Sequence, residues 1–367
     1  MRDSSGAGSA PVQIRFGQGG AFQSELRRRA DAYFETAAEP RRDVVRMYVK
    51  SLVILTWFAG SWALLVFVAD RWWQGVLLAV SLGLSIAGIG MGIQHDANHG
   101  GYSSRPWVNR VFGATLDLMG VCSYFWRLKH NVVHHTFTNI QGVDFDLDFG
   151  WIARLSPEQG RRGYHKYQHL YIWFLYTLLL PKWVFHDDWV LFRTMRAGPH
   201  KIPPMSRGDV FQFYAWKLIF VAWSLVIPAF YHPIWQVLLF HFIAVAALGV
   251  TLSSTFQLAH CVDTADFPPP PADGGVQAED FGAHQVSTTV DFSRDSSLLT
   301  WFLGGLNFQV EHHLFPKVCH LHYPALSRIV EQTAAEHGVA YRCNRTLPMA
   351  LAAHYRHLRE LGRPERA

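Results

Sequence analysis

Apolar residues gather into four long runs along this chain, at 52–69, 76–92, 211–230 and 234–254. Each is close to the roughly 20 residues that a helix needs to cross a ~30 Å hydrocarbon layer. The turn between the first two is Asp70-Arg71-Trp72-Trp73, and that between the last two is Tyr231-His232-Pro233. Such short links leave antiparallel neighbours, so the pattern predicts two transmembrane hairpins. Cytoplasmic segments retain Lys and Arg, whereas translocated turns lack them. Arg27, Arg28, Arg29, Arg41, Arg42, Arg46 and Lys50 precede the first run, and Arg105, Arg110, Arg127, Lys129, Arg161 and Arg162 follow the second; the outer turns hold only Arg71. Both termini and the long middle segment are therefore expected in the cytoplasm. Lys217 interrupts the third run near its polar end, where its stem is expected to snorkel outward.

Two further apolar stretches read as interfacial or half-buried helices: 108–125, which contains Arg110 and Asp117, and 170–180, which ends at Pro181 and Lys182. Pro268 to Pro271 with Asp273-Gly274-Gly275 predicts a breaker-rich loop. Residues 1–20 are polar and rich in Gly and Ser, with no apolar stretch of signal-peptide type. The expected organisation is a cytoplasmic N-terminal segment at 1–47, a membrane domain at 48–330 and a cytoplasmic C-terminal tail at 331–367. No internal repeat is visible. The expected fold class is an all-α integral-membrane protein, with four transmembrane helices in two hairpins and a cytoplasmic helical cap.

Composition agrees with a membrane part and a polar part. Half of the 367 residues are hydrophobic, yet the mean hydropathy is only +0.05, as when long apolar stretches are averaged against polar ones. The net charge of +5 suits anionic lipid head groups or the phosphates of an acyl carrier, and alone does not set nucleic acid aside. Cys122, Cys261, Cys319 and Cys343 are far apart and form no CxxC pair, so free thiols are expected.

Chemistry enters with the 20 histidines. His95-Asp-Ala-Asn-His99 follows the second run, His130-Asn-Val-Val-His134-His135 lies in the middle segment, His260 closes the fourth run, and Gln309-Val-Glu-His312-His313 comes later. Residues four apart on a helix share a face, so HxxxH presents two imidazoles to one ion. Adjacent histidines diverge by about 100° and reach toward two different ions. A lone HxxxH is more often a pair of hydrogen-bonded interfacial histidines. Three groups and His260, all at span ends and on one side by parity, are expected to converge on one site. Imidazole suits Zn, Cu, Fe and Ni alike, but eight histidines exceed the four ligands of a closed zinc site and supply two ions with positions to spare for oxygen.

As they stand, HDANH, HNVVHH and QVEHH resemble the three histidine boxes of the membrane fatty-acid desaturase family. The resemblance runs from the first apolar run to about Val330. Its most specific part is Asn307-Phe-Gln-Val-Glu-His-His-Leu-Phe-Pro316, with Cys319-His320 and Tyr323-Pro324 behind it. Glutamine opening the third box is similar to the subgroup of front-end acyl-lipid, sphingolipid and linoleoyl-CoA-type desaturases. The resemblance implies that His95, His99, His130, His134, His135, His312 and His313 bind two iron ions, and that His260 is the ligand this family draws from the end of its fourth span. Gln309 stands where other members have histidine, which implies a role through water or as a hydrogen-bond partner. The implied reaction is oxygen-dependent removal of two hydrogens from neighbouring methylenes of a long-chain acyl-CoA or acyl-lipid, in contact with membrane lipid. No HPGG motif of a fused cytochrome b5 domain is present, so electrons are expected from a separate carrier such as ferredoxin or cytochrome b5. No nucleic-acid partner is expected.

Hydroxylases and ketolases carry the same boxes and are the nearest rivals. A zinc-dependent membrane hydrolase or a metal transporter is the alternative from another class, although transport needs ionisable residues at depth within the spans. Asp144, Asp146 and Asp148 are expected either to orient imidazoles through their free N–H or to form a solvated acidic loop. Asp96, Asn98 and Glu311 lean toward the first role. His165 and His169 form a further HxxxH outside the boxes and are read as interfacial; His284-Gln285 is read as a positioning motif, and His232 as bland.

Overall fold

Among the described residues, four helices are long and apolar enough to cross a membrane: Val45–Phe67, Trp72–His99, Arg207–Ala229 and Ile234–His260. They fall on the four apolar runs. At 1.5 Å per residue the first and third, of 23 residues each, are about 34 Å long, whereas the second and fourth, of 28 and 27, are about 40 Å. The outer turns are so short that hairpin partners start level there. The extra length, roughly 10 Å beyond a hydrocarbon layer, therefore emerges at the opposite end, where it carries His95, His99 and His260.

The structure is a computed structural model that describes all residues except 1–13, 18–19, 38–39, 145, 147–148, 199, 272–275 and 365–367. Asp148, the Asp273-Gly274-Gly275 turn and most of the Gly- and Ser-rich N-terminus lie outside the described residues. The second helix is the inner one, 67% buried over its apolar window against 17–33% for the other three. Its close approach to the fourth depends on Gly83, where a Cβ would lie 2.2 Å from the Ala244 carbonyl oxygen. Among the described residues, strands are confined to two-stranded pairs: Arg15–Gly17 with Val276–Asp280, Arg196–Ala197 with His200–Lys201, and Asp291–Phe292 with Cys343–Asn344. All four cysteines are free.

Neither of the shorter apolar stretches forms a crossing helix. The first breaks into Pro106–Gly113, Thr115–Leu118 and Ser123–Trp126. The second becomes Gln168–Thr177 and Leu179–Lys182, then continues through a π-wound turn, Trp183–Asp187, into Asp188–Thr194. The boundary at 47/48 falls within the first membrane helix, and that at 330/331 within helix Tyr323–Glu336. Helix Leu347–Leu361 returns to the membrane domain, where His354 donates from Nδ1 to the Cys261 carbonyl at 2.6 Å and accepts from the Tyr176 hydroxyl at 2.7 Å.

Lys217 departs from expectation. It does not snorkel outward: its ammonium is folded inward, 2.6 Å from the Asp188 carboxylate, and donates to the carbonyls of Gly120 at 2.6 Å and Val184 at 3.1 Å. Three oxygen-bearing groups cannot be drawn to a lysine by hydropathy, so a carboxylate distant in sequence decided its direction. Removing one member of a buried pair strands the other and costs about 3–5 kcal/mol. Burial already lifts the Asp188 pKa despite the ammonium beside it, and loss of the ammonium removes the partner that opposes that lift. Lys217→Met is expected to lower the Tm of the detergent-purified protein, and Lys217→Met with Asp188→Leu to recover most of the loss. An unchanged Tm in the single variant contradicts the assignment.

Candidate metal centre

The histidine groups reach one place because the helices that carry them are wound unusually. The second membrane helix relaxes into a π turn at Gly90–Gln94, just before His95–His99, a feature that often marks functional sites. The second group is itself π-wound, over Arg127–His134, with the His135 amide donating to the His130 carbonyl at 3.1 Å. An i to i+5 winding sets residues i+4 and i+5 to either side of residue i. His134 and His135 accordingly flank His130, with ring centroids 5.1 and 4.9 Å from it.

All eight sequence-predicted histidines are brought together, each nine-tenths or more buried. One ring nitrogen each from His95, His99, His130 and His312 lie within 4.8 Å of one another. The same holds for His134, His260 and His313, and for His135, His312 and His313. The first two sets are separate groups, and the third joins them through His135. Distances between rings across the join are 4.6 Å for His135 to His312 and 4.2 Å for His135 to His313.

Outer partners settle which nitrogen faces inward. His130 donates from Nδ1 to Asp146 at 3.0 Å and His134 from Nδ1 to Asp144 at 2.8 Å. The corresponding atom of His313 donates to the Gln285 side-chain oxygen at 2.8 Å, and that of His312 to the Tyr323 hydroxyl at 3.3 Å. Nε2 of His134, His312 and His313 is left buried without a hydrogen-bond partner, as are Nε2 of His99, Nδ1 of His260 and both ring nitrogens of His135. An unpaired buried polar atom costs about 1–3 kcal/mol, and six clustered imidazoles that each leave a ring nitrogen unpaired fit cations rather than a hydrogen-bonded core. The Nε2 atoms of His95 and His130 face each other at 3.3 Å, as two donors to one ion do.

Protonation points the same way. Burial holds His135, His312 and His313 well below the usual imidazole pKa, and lowers His130 in spite of Asp146. These rings are neutral near pH 7, with a lone pair free. His134 is the exception: burial lowers it, but the Asp144 carboxylate against it prevails and lifts its pKa.

Three residues, Asp96, Asn98 and Glu311, lie elsewhere than expected. Gln309 touches His260, its amide 3.0 Å from Nε2, with its oxygen unpartnered. Asp96 accepts from His320 at 2.9 Å, and Asn98 bonds Gln94, the Gly113 carbonyl and Arg127. Glu311 faces Asp291 and accepts from the Tyr341 hydroxyl at 3.1 Å, where burial and the neighbouring acid push its pKa well up. None of these three orients a clustered imidazole; a helix turns them to the far side of the histidines they accompany. His165 bonds the Trp151 carbonyl at 3.0 Å, and neither it nor His169 joins a metal-binding group among the described residues. His232 bonds the Val66 carbonyl at 2.7 Å.

Other contacts had no signal in the chain. The Trp126 ring stacks on His130 at 4.4 Å, and Phe256 packs 5.0 Å from His134 and 4.7 Å from His260. Asn139, in a left-handed conformation (φ 56°), reaches with its amide to the carbonyls of His260, Asp266 and Thr288. It ties the end of the fourth helix to the second histidine group. Gln285, adjacent in sequence to His284, was visible only as part of a motif. Beside His95 and His130 opens a mostly apolar cavity of about 320 Å³.

The comparisons with known proteins agree with this geometry. A family model described as fatty acid desaturase matches residues 71–345. The chain is 37% identical over 356 residues to the sn-1 linoleoyl-lipid 6-desaturase of Arthrospira platensis, covering 96% of each protein. It is 35% identical to the protein of that name from Synechocystis sp., covering 96% of this chain and 98% of the relative. The acyl-lipid (8-3)-desaturase of Physcomitrium patens is 37% identical over 94% of this chain and 72% of its own length. Membrane-length apolar helices, clustered imidazoles and these relatives make one statement: the chain belongs to the fatty acid desaturase family.

Proposed function

We propose that this protein introduces a carbon–carbon double bond into an acyl chain carried on a membrane lipid, at a non-haem centre of two iron ions held by His95, His99, His130, His134, His135, His260, His312 and His313. The observation that carries this reading is the set of inward-facing ring nitrogens beside an apolar cavity. Methylene carbons have no proton that a side-chain base can take, so iron held by these residues would activate O2 as the oxidant, and the protein supplies position. The reaction balances when one O2 receives two hydrogens from the acyl chain and two electrons with two protons from outside, leaving two waters.

The chain's own residues have distinct tasks. His95 and His130 form part of the cavity wall, which places the reacting carbons against the imidazole cluster. Asp144, Asp146, Gln285 and Tyr323 hold four imidazoles in one tautomer and one orientation. Gln309 holds His260. The apolar walls keep the chain extended and water out. The names of the relatives favour a lipid-bound acyl group over the CoA ester. The Lys and Arg bias of the sequence favours placing the histidine clusters and both termini on the cytoplasmic side, where a separate ferredoxin or cytochrome b5 delivers electrons.

The test is expression in a host that lacks polyunsaturated lipids, followed by mass spectrometry of the acyl chains and metal analysis of the purified protein. A new alkene and about two iron atoms per chain are expected. An oxygenated product without alkene contradicts desaturation, and retained zinc without oxygen consumption contradicts oxidation altogether.

A further inference from the structure

We propose that Met119 closes the acyl cavity and thereby sets how long a chain the enzyme accepts, an inference that rests on the acyl-lipid reading above. The cavity beside His95 and His130 has two ends of different character. One is polar and partly solvent-exposed, with Lys129 paired to Asp146 at 2.9 Å and Lys182 to Asp187 at 2.6 Å. The other is apolar, lined by Gly90, Met91, Leu116, Met119, Val121 and Leu252. A lipid head group belongs at the first and a methyl terminus at the second.

Beyond the apolar end lies a second cavity, of about 230 Å³, with walls drawn from all four membrane helices. The two are stacked along the helices. Down the second helix from the histidines, Gln94, Met91 and Gly90 face the first cavity, and Ile86 and Leu82 the second. Down the fourth, Gln257, Ser253 and Leu252 give way to Val245 and Ala244. Gly90 and Ile86 are four residues apart, about 6 Å of helix. Among the described residues, Met119 is the one that lines both cavities.

The backbone on either side of Met119 is tied down. Lys217 donates to the Gly120 carbonyl at 2.6 Å, and the Trp223 indole to the Leu118 carbonyl at 2.9 Å. From that anchored loop the side chain crosses to the second helix, where its methyl lies 3.7 Å from the place a Cβ on Gly90 would take. Met119 is 3% exposed, and an unbranched thioether fills such a gap without specifying it tightly. The partition between the two cavities is thus one flexible side chain on a rigid support.

With the head group at the polar end, the distance from there to the histidines determines which carbons react. The distance from the histidines to Met119 determines how much chain can follow them. Truncating Met119 joins the cavities and lengthens the second distance without touching the first.

The experiment uses the full chain expressed in a host membrane and fed fatty acids of graded length, two carbons apart, with products read by gas chromatography and mass spectrometry. Met119→Ala is expected to raise conversion of chains longer than the wild-type limit roughly tenfold, the scale on which apolar pockets discriminate methylenes. Met119→Trp is expected to lower conversion of the longest wild-type substrates by a similar factor. In both, the double bond stays at the same carbon counted from the carboxyl end, which general damage to the fold would not produce. Should Met119→Ala fail to accumulate, Met119→Val removes less volume and shifts the profile in the same direction. Wild-type desaturation with the same length profile in every variant overturns the inference while leaving the proposed function intact, as does a moved double bond without a length shift. A wild-type chain that forms no alkene overturns the proposed function, and the inference with it.

Discussion

His312→Ala is expected to abolish desaturation in a chain that still inserts into the membrane. His312 belongs both to the group with His95, His99 and His130 and to the group with His135 and His313, and its ring centroid is 4.5 Å from His95 and 4.6 Å from His135. Removing it takes a donor from the join between the two halves of the site. Loss of an outer hydrogen-bond partner costs metal sites about 10–100-fold, so loss of a donor nitrogen is expected to exceed 100-fold, with iron per chain falling in parallel. Turnover and metal content of the purified variant check this, and full turnover contradicts the ligand assignment. His169→Ala is the natural comparison. It breaks an equally good HxxxH pattern, but one that joins no cluster, and activity is expected to persist.

Asp144→Asn ranks second. The Asp144 carboxylate accepts from His134 Nδ1 at 2.8 Å and from the amides of Asn139 at 3.1 Å and Asp146 at 3.0 Å, and its side chain is 1% exposed. An amide keeps the size and one acceptor oxygen but removes the charge that orients the ring and raises its basicity. Activity and iron retention are expected to fall about 10–100-fold. The charge also holds the folded-state pKa of His134 up. A raised imidazole pKa favours the protonated ring, most strongly below the ordinary value, and that preference fades as pH rises through the raised one. With His134 as an iron ligand, as proposed, the metal would displace this proton, so wild-type iron retention is expected to weaken as pH falls through the raised pKa. In Asp144→Asn that loss moves to lower pH. Iron retention measured against pH in both proteins decides it; identical pH profiles refute the role given to the carboxylate.

The membrane architecture was legible because hydrocarbon imposes a length. A helix that crosses must satisfy every backbone group internally and present about 20 apolar residues, and the four runs comply. The histidines were legible for a related reason: imidazoles spaced four apart beside span ends have few structural uses, and parity put the groups on one side. The outer partners were only half legible. Three aspartates follow the second group, and nothing in their order tells which of them turns toward which ring. Asp96, Asn98 and Glu311, although interleaved with the histidines, face away from the cluster because a helix disperses consecutive residues around its axis.

Local winding was hidden altogether. The π turns at Gly90–Gln94 and Arg127–His134 re-aim the histidines that follow or lie within them, and a change of winding depends on what the helix packs against rather than on its own residues. Lys217 shows the same limit. Seen alone it is a cation near a span end, but Asp188 is 29 positions away in sequence and 2.6 Å away in space.

Taken by itself, the order of residues determined that this chain has membrane-length helices in two hairpins and that its histidines recur in groups of the spacing that can hold a metal ion, since both properties follow from spacing along a single helix. Only the tertiary structure decided which ring nitrogen faces inward, which carboxylate steadies which imidazole, and that one methionine stands between two cavities. Those outcomes depend on groups that are far apart along the chain and within a few ångströms in space, a relation that local spacing does not encode.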